Sequence, residues 1–199
     1  MSLEPKKDKQ LEYTPFQISV LSYLTIEESK QQRDNTVFGN NSPVGFTYNY
    51  RFTTSINELS TIVSPNLIPG DKPDPSDIFT RTINEVIELE RKELIKYEHE
   101  RSHPSFKGEQ YEGFYVTTQG KLFVRKCFVG LVPKIEDKIQ YERVVEQTEA
   151  NTEVKKYFKE LREKLIDKSQ DQVVEMIISG MKEYTVVGIS IALRLLGHI

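Results

Sequence analysis

The chain has 199 residues, of which 37% are hydrophobic and 29% charged, with a net charge of −3 and a pI near 5.8. A chain of this size buries enough surface to fold without disulfide staples, and its single cysteine, Cys127, excludes an intrachain disulfide framework and suits a reducing compartment. The charge balance offers no global attraction to nucleic acid or anionic lipid, no run reaches the ~20 apolar residues of a membrane span, and MSLEPKKDKQLEY lacks the apolar core of a secretory signal, so a cytoplasmic protein is expected.

Residues 1–13 read as a flexible tail. In Phe16-Gln-Ile-Ser-Val20 apolar and polar residues alternate, which predicts a strand over about 16–24. Thr25-Ile-Glu-Glu28 then offers a capping box for a short helix ending near Arg33. The stretch from Asp34 to Pro43, with Gly39, Asn40, Asn41 and Ser42, reads as a loop. The cleanest strand signal is VGFTYNYRF at 44–52: Val44, Phe46, Tyr48, Tyr50 and Phe52 share one face, and Gly45, Thr47, Asn49 and Arg51 share the other. Ile56, Leu59, Ile62 and Val63 fall at helical spacing, with Thr54 or Ser55 as cap and Pro65 as stop.

Four prolines in 64–77 predict a stiff surface connection. Asp74-Pro75 is a cap followed by a proline at the first helical position, so a long helix is expected over 76–103. Its inward stripe reads Phe79, Ile83, Val86/Ile87, Leu94 and Tyr97, and Pro104 ends it. Residues 111–132 read as a β-hairpin turning at Gln119-Gly120, with Cys127 a small core residue of the second strand.

From Lys134 to Lys168 nine basic and nine acidic residues alternate, the mark of a solvated helical face. Val154, Tyr157, Phe158, Leu161 and Leu165 form an apolar stripe within it. Ser169-Gln-Asp-Gln172 is a capping box that opens a helix with Val173, Val174, Ile177, Ile178 and Met181 inside. Residues 184–196 are apolar all round except Arg194, as a helix or a buried strand in a core or an interface.

Only one stretch names a reaction. His99-Glu100-Arg101-Ser102-His103 matches H-E-x-x-H, in which two imidazoles at i and i+4 of a helix bind Zn²⁺ and the glutamate acts as general base. Over these five residues it resembles the zincin metallopeptidases, which implies His99 and His103 as zinc ligands and Glu100 as the catalytic base. Against it stand the charged flanks KYEHERSHPS, the proline after the second histidine and the missing third ligand, since the remaining histidine, His198, sits at the far end. Histidines near a helix C-terminus are also explained by the macrodipole. No phosphate-binding loop occurs, and Gly188-Ile-Ser-Ile-Ala192 lacks the second glycine of a nucleophile elbow. Tyr48, Tyr50 and Phe52 offer faces on which bases can stack, but Arg51 points the other way and no basic stripe supports them.

The expectation is therefore one α+β unit: a small antiparallel sheet packed on a long helix within 14–133, and a helical C-terminal portion over 134–199. The function expected is non-enzymatic protein–protein association or self-association, with Phe46, Tyr48, Tyr50, Phe52, Val187, Ile191 and Leu195 as interface candidates. No cofactor, membrane or nucleic-acid partner is expected. The alternatives are a zinc-dependent hydrolase at 99–103 and single-stranded nucleic-acid binding through 44–52.

Overall fold

The computed structural model describes residues 13–38, 53–63, 74–98 and 113–198. Its organising element is a helix, α1, spanning Pro15–Phe38. Thr14 caps it by accepting the Gln17 N–H at 3.2 Å, and Pro15 occupies the first turn. The strand expected over 16–24 is thus part of this helix. From Phe16 to Ile26 every residue is buried, so this stretch of the helix has no wet face. A helix buried all round shows no 3.6-residue period, and the short alternation at 16–20 filled that gap misleadingly. Its hydroxyls turn back on the helix: Ser19 donates to the Pro15 carbonyl at 2.9 Å and Thr25 to that of Leu21 at 2.7 Å.

Helix α2, Ile56–Val63, starts where Ser55 accepts the Glu58 N–H, as the spacing predicts. Helix α3, Pro75–Arg91, starts at the expected cap, Asp74, which accepts the Ser76 N–H. It ends twelve residues before the expected position 103. Glu93 adopts the left-handed conformation (φ 57°), its N–H bonds the Glu90 carbonyl, and the Leu94 N–H reaches back to Leu89. That is a Schellman stop, completed by the buried pair Leu89 and Leu94. The signal was hidden because the left-handed position holds a glutamate where glycine is usual.

The chain then forms β1, Ile95–Glu98, which pairs antiparallel with β2, Gly113–Val116, in the register Ile95↔Val116 and Tyr97↔Phe114. Thr54 bridges to Phe114 on the other side of β2 through two backbone bonds of 3.0 and 2.8 Å. Gly113 makes this approach possible, because a Cβ there would lie 2.7 Å from the Thr54 carbonyl oxygen. The first strand of the expected hairpin is therefore real, but its partner is 95–98. The expected second strand is helix α4, Thr118–Val129, capped by Thr117, with Gly120, Val124 and Phe128 buried at i, i+4 and i+8. An apolar run of that length reads equally as strand or helix.

The remaining residues are helical, as expected: α5 Val132–Glu136, α6 Lys138–Gln147, α7 Thr152–Leu165, α8 Gln170–Met181 and α9 Thr185–Leu195. Asp137 and Asn151 cap α6 and α7, and the Ser169–Gln172 capping box opens α8. The expected stripes on α7 and α8 point inward, and the segment 184–196 is a helix. Arg162 of α7, only 5% exposed, donates from Nε to the Ile135 carbonyl and from Nη2 to that of Glu136, at 2.8 and 2.9 Å. A buried cation thus closes the C-terminal end of α5. The Tyr141 hydroxyl donates to the Phe158 carbonyl and ties α6 to α7. Helix α1 touches α2, α3, β2, α4, α8 and α9, so both portions share it.

Two substitutions read out these joints in urea denaturation. Glu93→Gly relieves the left-handed strain and is expected to stabilise by about 0.5–1 kcal/mol. Arg162→Met leaves two carbonyls buried without donors and is expected to cost about 2–4 kcal/mol.

Candidate functional site

The residues singled out by sequence fall in two groups. His99, Glu100, His103, Phe46, Tyr48, Tyr50 and Phe52 lie outside the described residues. Val187 is half-buried, and Ile191 and Leu195 are buried inside the chain's own core. The last two line a small apolar cavity of about 20 Å³ together with Leu131, Tyr141, Phe158 and Leu165. The Tyr141 hydroxyl is already engaged with Phe158, so nothing polar in that lining holds a water or a polar ligand. Among the described residues no helix is long and apolar enough to cross a membrane, and no three His, Cys, Asp or Glu side chains gather as metal ligands.

Among the described residues the electrostatics do not assemble an acid–base pair. Burial pushes the Cys127 thiol up to about 11, which leaves it about a hundredfold poorer in thiolate near neutrality than an unshifted thiol. Burial raises Tyr141, against a smaller opposing effect of Arg162, and raises Tyr23, helped by the Glu58 and Glu27 carboxylates. The Ser76 hydroxyl and N–H hold Asp74 below its usual range, and Lys159 does the same for Glu146. Each of these shifts moves its group away from pH 7, the opposite of what a general acid or base requires.

Gln17 donates from Nε2 to Glu85 at 2.7 Å and Glu28 pairs with Lys121 at 2.6 Å, linking α1 to α3 and α4. Gln17 Oε1, Ser22 Oγ and Glu28 Oε2 remain without a partner. Eleven residues of helix put Gln17 and Glu28 roughly 16 Å apart along the axis, and Ser22 points to another face. The three do not converge on a ligand.

Helix α3 carries an exposed apolar surface. Its buried residues are Thr82, Val86 and Leu89. Of the stripe expected to point inward, Val86 and Leu94 are buried, but Phe79 is 38% exposed, Ile87 is 40% exposed and Ile83 between them is half-buried. These three recur at i, i+4 and i+8, which makes one ridge about 12 Å long. Thr80 and Asn84 lie beside it in solvent, Asp77 and Arg81 are exposed further round the helix, Glu90 is exposed, and Arg91, next in the ridge row, pairs with Glu88 at 2.5 Å. Sequence reading found the ridge residues but assigned them to the core, because it prolonged the helix through Leu94 and Tyr97 and drew one stripe through all of them.

No family model, no curated protein and no solved structure matches this chain.

The exposure of the ridge has a direct measure. Phe79→Ser combined with Ile87→Ser is expected to change unfolding free energy by no more than about 1 kcal/mol. Leu89→Ala, one turn away on the buried face, is expected to cost about 2–5 kcal/mol in the same urea titration.

Proposed function

We propose that this is a non-enzymatic cytoplasmic protein that works by associating with another protein, and that the outer face of α3 is its contact surface. The observation that carries this reading is the Phe79–Ile83–Ile87 ridge standing in solvent on an acidic module. The order of α1, the Thr54 bridge, α2, α3 and the β1–β2 ribbon has the arrangement of a winged helix-turn-helix, in which the second helix of the pair enters the major groove of DNA. That is a likeness of arrangement, and the site decides the function.

Two features of the site favour protein over DNA. Eleven residues, 64–74, separate α2 from α3, where a helix-turn-helix uses about 3–4. Residues 53–117 also hold twelve acidic side chains against seven basic ones, a net charge of −5. Phosphate contacts by Lys and Arg supply most of the affinity for duplex DNA, and this module carries the opposite sign. An apolar ridge flanked by charge is the composition of a protein contact. The hydrolase alternative at His99, Glu100 and His103 lies outside the described residues, and the helix expected to run through it, α3, ends at Arg91.

Fluorescence anisotropy with a labelled duplex of about 20 base pairs separates the readings. At about 50 mM salt no saturable binding is expected. Tight binding that weakens steeply with added salt, and is lost in Arg81→Ala, would overturn the proposal in favour of DNA recognition.

A further inference from the structure

We draw no further inference here: the strongest candidate, the exposed apolar row of Phe79, Ile83 and Ile87 on the outer face of α3, is an unpartnered helix face, and nothing in the structure shows what covers it.

Discussion

The structure depends on a stretch of helix, the first half of α1, that has no outside. Eleven consecutive residues of α1, Phe16 to Ile26, are buried, and a helix that touches solvent on no face stabilises nothing until other elements surround it. Phe16, Leu21, Leu24 and Ile26 each contribute about 1.5–3 kcal/mol only when covered. The cover comes from helices on both sides of the chain, α2 and α3 before the ribbon and α4, α8 and α9 after it. The polar residues on α1 are accommodated in two ways. Ser19 and Thr25 bond the helix's own carbonyls, and Gln17 and Glu28 reach Glu85 and Lys121 on neighbouring helices. The second kind fixes the rotation of α1, because a buried carboxylate or amide turned away from its partner loses a bond that water cannot replace.

What the sequence revealed follows from exposure. Helices α7 and α8 have one wet face and one dry face, so their stripes and the Ser169 capping box were readable residue by residue. The start of α3 was readable because Asp74-Pro75 is a local device that needs no tertiary information. Helix α1 was not, because uniform burial erases the period. The end of α3 was not, because Glu93 holds a conformation its residue type disfavours, and only the buried pair Leu89 and Leu94 sustains it. Helix α4 was read as a strand because KLFVRKCFV is apolar enough for either, and the choice is made by Gly120, which lies so close under the Leu94 carbonyl that a Cβ there would stand 2.2 Å from its oxygen. The interface residues proposed on α9 came from the same ambiguity: an all-apolar segment belongs in a core or in an interface, and Ile191 and Leu195 lie in the core.

The module formed by α1, α2, α3 and the ribbon shows why arrangement and charge have to be weighed separately. Hydrophobic pattern and turn chemistry set the order of elements, and they are indifferent to what the outer face of α3 carries. That face is free to hold base-reading side chains, apolar ridges or acids without any change of fold. Here the outer face mixes Thr80, Arg81 and Asn84 with an apolar ridge and a surplus of carboxylates. The first three residue types alone would suit a DNA groove. On the reading proposed above, the acidic surplus of 53–117 works against such a contact.

The burial of α1 also bears on how the protein is made. The Glu27 carboxylate accepts from the Thr185 hydroxyl at 3.0 Å, a contact between residues 158 positions apart. On the ribosome α1 emerges early, and α9, which covers one of its sides, is synthesised on the order of ten to thirty seconds later. For that interval the helix with the longest fully buried run among the described residues has only part of its shelter. The apolar surface that the finished fold hides is open during synthesis, a cost of closing the core with the last helix of the chain.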